Sequence, residues 1–238
     1  RMERKSRFQT KHYSLDGNTA ITRERGREMK KIMFNDKFCL TQAVLGGTKT
    51  MTRRLLAMPK TCNGKEVYGF NVLTNSLGTQ CVDLIDYGGN VLGSWKPHYE
   101  VGEIVAIAQS YKDIDLHDII GYKAYGQNMY EPIYAELSAG WNNKMFVKSE
   151  IMPCHIRITD IRVERLQDIS DEDCLREGVW QFYDNKKLFY ISKNTGEAST
   201  VCFLSAREAF AYLIDKVSGK GTWESNPWVA AYSFELVD

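Results

Sequence analysis

The feature that most constrains the fold is the stretch at positions 45–54, which reads LGGTKTMTRR. An apolar run at helical spacing stops at Gly46 and Gly47, and a glycine pair commonly ends a helix because the next position needs a positive φ. Residues 49–54 have strand propensity but carry three cations and two hydroxyls. We therefore expect this segment to line a cleft that meets an anionic or polar ligand. The alternative is a solvated edge strand whose charges prevent aggregation.

Two polar side chains in this stretch are candidates for one site. Lys49 and Thr52 lie three positions apart, so strand alternation would send them to opposite faces. A bend after Gly47 would bring the ammonium and the hydroxyl together. We therefore expect a bend at this point if the two side chains act on the same ligand.

Helices and strands are predicted elsewhere from apolar periodicity, capping residues and glycines. The predicted strands are 32–34, 104–107, 156–166 and a terminal strand that starts at Pro227, and the predicted helices are one capped by Thr41 and ending at Gly46, one from Ser170 to Gly178, and one from Ser205 to Gly219. A phase slip at Thr159-Asp160 predicts a β-bulge. Turns are predicted at 75–78, 88–90 and 194–196 between short strands.

The predicted helix that ends at Gly178 places Glu177 in its last position. A carboxylate is unfavourable there because the C-terminal end of a helix carries partial negative charge. Two interpretations remain open. Glu177 is either a solvated surface residue with its stem over the helix end, or a proton-transfer group in a cleft.

Composition excludes several classes of protein. Charge is nearly balanced, with a net +1 over 238 residues, and no run of eighteen apolar residues predicts a membrane span. The N-terminus is polar, without a signal-peptide pattern. Six scattered cysteines, with no Cys-x-x-Cys, predict reduced thiols in a cytoplasm. His155 follows Cys154 without a second ligand pair, so neither a metal nor a cofactor is expected.

The first 31 residues are basic, with ten Lys/Arg against four Asp/Glu. Such an arm is compatible with nucleic-acid contact. It is also typical of a poorly ordered extension, which we prefer for residues 1–28 because Met29-Lys30-Lys31-Ile32 resembles an ordinary protein start. We therefore assign residues 29–238 to a single domain.

The pattern Gly47-x-Lys49-x-x-Thr52-x-Arg54 resembles the signature of ASCH domains in the PUA-like superfamily. Many members have Glu where this chain has Thr52, but small bacterial N4-acetylcytidine amidohydrolases carry Gly-x-Lys-Thr-x-Thr-x-Arg, which the sequence reproduces. Segments 29–58, 96–110, 144–178 and 205–238 resemble the family in the same order. The resemblance implies an α+β fold, a PUA-like β-barrel with flanking helices, with β-rich insertions near 60–95, 111–143 and 179–204.

The resemblance also implies a function. It suggests an amidohydrolase acting on an N-acylated nucleobase or nucleoside such as N4-acetylcytidine, with Lys49, Thr52 and Glu177 as catalytic residues. The implied substrate-binding residues are Gly47, Arg53, Arg54, Asn226 and Trp228. Phage-encoded relatives carry Arg-Glu where this chain has Ala108-Gln109, so a function of that pair does not transfer. The alternative is a non-catalytic module that binds RNA or a modified base, and neither interpretation involves a membrane.

Overall fold

The computed structural model describes residues 29–76, 80–114, 139–192 and 201–238. The predicted arm at 1–28, most of the expected insertion at 111–143 and the predicted turn at 194–196 lie outside these ranges. The described chain is a mixed α+β structure dominated by strands. In chain order its elements are β1 (Lys31–Ile32), α1 (Leu40–Leu45), β2 (Met51–Leu55), β3 (Thr61–Cys62), β4 (Lys65–Glu66), β5 (Gly69–Thr74), β6 (Gln80–Ile85), β7 (Val91–Ser94), β8 (Ile104–Ile107), β9 (His155–Arg165), α2 (Asp171–Arg176), β10 (Trp180–Gln181), β11 (Phe189–Tyr190), β12 (Cys202–Phe203), α3 (Ala206–Ser218), α4 (Thr222–Ser225) and β13 (Trp228–Leu236).

The main sheet has five strands in the order β1-β8-β9-β13-β2. The short β1 runs parallel to β8, and the other neighbours are antiparallel. The pairing of β9 with β13 shifts where Ser233 faces Asp160 and Phe234 faces Ile158, which leaves Thr159 as the extra residue. The predicted bulge is confirmed.

The core lies between this sheet and α3. Residues 229–234 of β13 are all buried, because β13 sits between β9 and β2 and both of its faces are covered. Phe210, Leu213 and Ile214 form the apolar face of α3 and join the same cluster as the sheet residues. The predicted α3 is confirmed: the Ser205 side chain accepts a hydrogen bond from Glu208 N, and the helix stops before Gly219.

The helix α2 is also confirmed, with the Ser170 hydroxyl accepting from Asp173 N at 3.1 Å and with Gly178 at φ +102°. The predicted cap of α1 is wrong. Cys39 occupies that position, at φ +53°, and Thr41 lies inside the helix. Its hydroxyl donates to Asp36 Oδ1 at 2.5 Å. A carboxylate is a strong acceptor, so the Thr41 hydroxyl binds Asp36 and does not cap the helix.

Three smaller sheets lie in the expected insertions. Strands β5, β6 and β7 form an antiparallel meander, with Gly89 at φ +79° in the predicted turn at 88–90, and β3 pairs with β4 beside it. Strands β10, β11 and β12 form another. The Gln80 side chain both donates to Val163 O and accepts from Val163 N, at 3.0 and 2.6 Å, so its amide caps β9 beyond the end of β8.

The two edge strands of the main sheet, β1 and β2, are not joined by a ladder, so the described sheet is open. A side chain bridges the opening instead: Arg54 Nη2 of β2 donates to the carbonyl of Met33, just after β1, at 2.6 Å. Among the described residues, no helix combines the length and apolar character that crossing a membrane requires.

Candidate functional site

The turn between α1 and β2 carries Lys49 into the interior. Gly47 adopts φ +70°, and the amides of Thr48 and Lys49 both donate to Ala43 O at 2.9 Å, so the chain reverses at the helix end. The bend expected after Gly47 is confirmed. Lys49 precedes β2, so strand alternation does not separate it from Thr52.

Lys49 is buried, with 2% of its side chain exposed. Its ammonium donates to Met51 O at 2.6 Å, to Glu177 O at 2.6 Å and to Glu177 Oε2 at 2.8 Å. These three acceptors match the three hydrogens of an ammonium group. Lys49 therefore joins the start of β2 to the end of α2.

Glu177 lies at the C-terminal end of α2, as predicted, and its side chain is 5% exposed. The solvated interpretation is therefore wrong. Oε2 accepts from Lys49, and Oε1 accepts from Arg53 Nη1 at 3.2 Å. Two cations thus offset the unfavourable position of the carboxylate at the helix end.

Gly178 allows this close approach. A Cβ at this position would lie 2.8 Å from Leu40 Cδ2 and 3.6 Å from Lys49 Cδ, and the residue's φ of +102° is one that L side chains rarely adopt. The glycine that ends α2 therefore also lets the helix end pack directly on α1 and on the stem of Lys49.

Arg53 is the second buried cation, with none of its side chain exposed. Its Nε and Nη2 donate to Glu164 Oε1 at 2.9 and 2.6 Å, and Nη2 also donates to Asp173 Oδ2 at 3.0 Å. Nη1 contacts Glu177 and Met51 Sδ. Strands β2 and β9 and helix α2 therefore meet at one guanidinium. The predicted edge strand is confirmed, but Met51, Thr52 and Arg53 within it are not solvated.

Burial and neighbouring charges shift the pKa values of the ionic groups in this network. Burial lowers the pKa of Lys49 from its ordinary value of 10.5, and the charge and hydrogen bond of Glu177 oppose that effect only in part. Burial also acts to lower the pKa of Arg53, but Glu177 and Glu164 outweigh it and raise that pKa. Burial acts to raise the pKa of Asp173, but hydrogen bonds from Arg162 and Arg53 hold it below its ordinary value. Lys49 is thus the cation of this network that gives up its proton most easily.

A cavity of about 320 Å³ opens above this network, near the lower end of the range for small-molecule sites. Its polar side is formed by Lys49, Thr52, Arg53, Arg54 and Glu177. Its apolar wall includes side chains of α3, together with Phe34 and Leu40. The cavity lies at the opening between the two sheet edges, because residues 33–35 line one side and β2 the other.

Five of the eight sequence-predicted site residues line this cavity: Lys49, Thr52, Arg53, Arg54 and Glu177. The other three are not in its lining. Gly47 shapes the turn, Asn226 Oδ1 accepts from Gln167 N at 2.8 Å, and the Trp228 ring lies 4.4 Å from the Arg165 guanidinium. The structure gives each of these three residues a structural partner or role outside the cavity.

Two residues that sequence reasoning missed are Glu164 and Asp173, whose carboxylates accept hydrogen bonds from Arg53. They lie 111 and 120 positions from Arg53, so no local spacing relates them to it. Asp173 showed only a helix-capping signal. Glu164 showed only strand alternation.

Within the described ranges, no three His, Cys, Asp or Glu side chains gather closely enough to hold a metal ion. The site consists of an ionic network beneath a mixed polar and apolar cavity, and its side chains can transfer protons and form hydrogen bonds. Comparison of the chain with sequence models of protein families, with characterised proteins and with solved structures finds no match in any of the three.

Proposed function

We propose that this chain is an amidohydrolase acting on an N-acylated nucleobase or nucleoside of the N4-acetylcytidine type, and that its open sheet is a divergent PUA-like barrel of the ASCH kind. The single observation that carries the enzymatic proposal is the contact between Lys49 Nζ and Glu177 Oε2, at 2.8 Å beneath the cavity. The side-chain bridge from Arg54 to Met33 O, which spans the gap between the edge strands, supports the fold proposal.

The pair provides a proton path. Lys49 passes a proton to Glu177 and becomes a neutral amine, which burial favours. The amine then has two routes. It takes a proton from the water that attacks the acyl carbon, or it attacks that carbon itself and forms an acyl-lysine, whose new C–N bond a second step with water hydrolyses to release the acid and the lysine. Glu177, now protonated, delivers its proton to the departing exocyclic nitrogen. With water as the nucleophile, the amide C–N bond is replaced by a C–O bond, and the ammonium and carboxylate are restored.

The remaining cavity residues have distinct roles in this proposal. Thr52 lines the same cavity. In this proposal its hydroxyl orients the amine or the acyl oxygen. The donors of Arg53 are taken by three carboxylates and by Met51 Sδ, and its side chain has no exposed surface, so in this proposal it positions Glu177 and does not bind substrate. Arg54 is exposed and remains available to the substrate.

The alternative is a non-catalytic module that binds a modified base or RNA. One observation favours it: all three hydrogens of the Lys49 ammonium already have acceptors within 2.8 Å. A lysine saturated in this way can shape the floor of a binding cavity without donating or accepting a proton during a reaction.

Turnover of a panel of N-acylated nucleosides separates the two functions. The enzyme proposal expects hydrolysis by the wild type and none by Lys49→Ala. Glu177 keeps its contact with Arg53 in this variant, but two buried carbonyl groups lose a donor, so circular dichroism first checks that the variant is folded. Thr52→Ala and Glu177→Gln should each cost about 10²-fold or more in kcat. Arg157→Gln, an exposed arginine paired with Glu235, is the control and should retain full activity. Binding without hydrolysis by the folded wild type would favour the alternative.

A further inference from the structure

The charges that line the cavity are unequally compensated. Lys49 contacts Glu177, and Arg53 contacts Glu164, Asp173 and Glu177. In the described part of the chain, Arg54 has no carboxylate within ion-pair distance. Three cations and one carboxylate line the cavity itself, namely Lys49, Arg53 and Arg54 against Glu177. Of these four groups only Arg54 is exposed, so the excess positive charge at the cavity surface is that of Arg54.

Arg54 is held in place without being saturated. One nitrogen donates to Met33 O at 2.6 Å, and the guanidinium lies 5.9 Å from the centre of the Phe34 ring. A guanidinium has five N–H donors, and within the ranges that the structure describes only one of them has an acceptor, so the others can serve a ligand. The side chain is exposed and lines the cavity, whereas Lys49 and Arg53 are buried at its floor.

The end of α3 is the main opposing charge on this side. Val217 and Ser218 line the cavity, and a helix C-terminus carries roughly half a negative charge. The full charge of Arg54 exceeds this, so the local field still favours an anion. The last turn of a helix leaves carbonyl groups without an intrahelical donor, and such groups can accept hydrogen bonds from hydroxyl groups such as those of a sugar.

We propose that the ligand of this cavity carries a phosphate ester that Arg54 binds, so that the preferred substrate is an N-acylated nucleotide and not the uncharged nucleoside. This proposal rests on the proposed function for the acylated base, and extends it to the anionic end of the substrate. Planar, multidentate recognition of phosphate is the characteristic use of arginine. The Arg54 guanidinium and the Lys49 ammonium lie 5.9 and 5.8 Å from the centre of the same Phe34 ring, so a phosphate bound by Arg54 would belong to a ligand of the cavity above the buried pair.

Calorimetric titration with cytidine 5′-monophosphate and with cytidine tests this assignment, because neither ligand can be hydrolysed at an amide. At low salt we expect the monophosphate to bind roughly tenfold more tightly than cytidine, because one charge-assisted contact at a partly exposed site contributes about that much affinity. The ratio should approach one in Arg54→Gln and fall only part of the way in Arg54→Lys, which keeps the charge but not the planar set of donors. Arg157→Gln, which removes an exposed arginine elsewhere on the sheet, should keep the wild-type ratio.

A dinucleotide that carries a phosphodiester identifies the source of the phosphate. Affinity equal to that of the monophosphate assigns the site to a nucleic-acid backbone, and weaker affinity assigns it to a free nucleotide; both keep the phosphate contact. Equal affinities for cytidine and its monophosphate, or no measurable binding of the monophosphate, would overturn the proposal. Absence of hydrolysis with the affinity ratio intact would overturn only the amidohydrolase function.

Discussion

Replacing Glu177 with glutamine tests the buried network directly. The substitution keeps the size of the side chain but removes the charge between two cations, Lys49 and Arg53, whose side chains are 2% and 0% exposed. Breaking a buried ion pair by removing one partner costs about 3 to 5 kcal/mol. We expect the lower end, about 3 kcal/mol, because Lys49 keeps two carbonyl acceptors and Arg53 keeps two carboxylates. For a chain of this length that corresponds to a fall in Tm of about 6 to 12 °C.

The pH dependence of this loss has a definite sign. Because the pKa of Lys49 is lowered in the folded chain, the unfolded chain binds more protons between the folded pKa and 10.5. Stability therefore rises with pH across that window, by at most about 1.4 kcal/mol per pH unit. Glu177 raises the pKa of Lys49, so its removal extends the window to lower pH. The deficit of Glu177→Gln should accordingly shrink as the pH rises.

Urea denaturation followed by circular dichroism, between about pH 6 and pH 9, measures both effects. Glu235→Gln is the matched control, because Glu235 is 55% exposed and pairs with an exposed arginine. It should cost less than about 1 kcal/mol, with little dependence on pH in this range. A Glu177→Gln deficit no larger than the control's, or one that grows with pH, would refute the reasoning.

Three further substitutions or treatments test the surroundings of the site. Gly178→Ala should destabilise the chain by about 1 to 3 kcal/mol in thermal unfolding, since its positive φ and the nearby Leu40 leave no room for a Cβ; an unchanged Tm would contradict the close approach. Gln80→Ala should cost about 1 to 2 kcal/mol by urea denaturation, because both backbone groups of its β9 partner lose a hydrogen bond; equal stability would show that water replaces them. Iodoacetamide at about pH 8 should label exposed Cys81 and spare Cys174, whose pKa burial raises to about 12; mass spectrometry of labelled peptides would expose the opposite order.

Local signals in the sequence predicted much of the fold. Ser170 marks the start of α2 and Gly178 marks its end. Both were predictable because a hydroxyl cap at one end and a positive φ at the other are local requirements of a helix. The slip at Thr159 predicted the bulge because period two fails within β9 itself. The prediction for Thr41 was wrong because a threonine hydroxyl can cap a helix or donate to a nearby carboxylate, and here it donates to Asp36.

The site was predictable only in part. The bend that turns Lys49 inward follows from Gly46 and Gly47, but its contact with Glu177 joins residues 128 positions apart. Only the resemblance to a family suggested that pairing in advance. Arg53 was expected to face a ligand, whereas the fold surrounds it with carboxylates from β9 and α2, a result of tertiary packing that no local pattern carries.

The three hydrogen bonds of Lys49 have an evolutionary consequence. Two of them satisfy buried carbonyl groups, those of Met51 and Glu177. An unsatisfied buried carbonyl costs about 1 to 3 kcal/mol, so selection for folding alone would retain this lysine in a lineage that no longer carried out any reaction. Descendants without activity should therefore keep the Lys-Glu pair, and they should first lose residues at Thr52 and Arg54, for which the described contacts give folding less need.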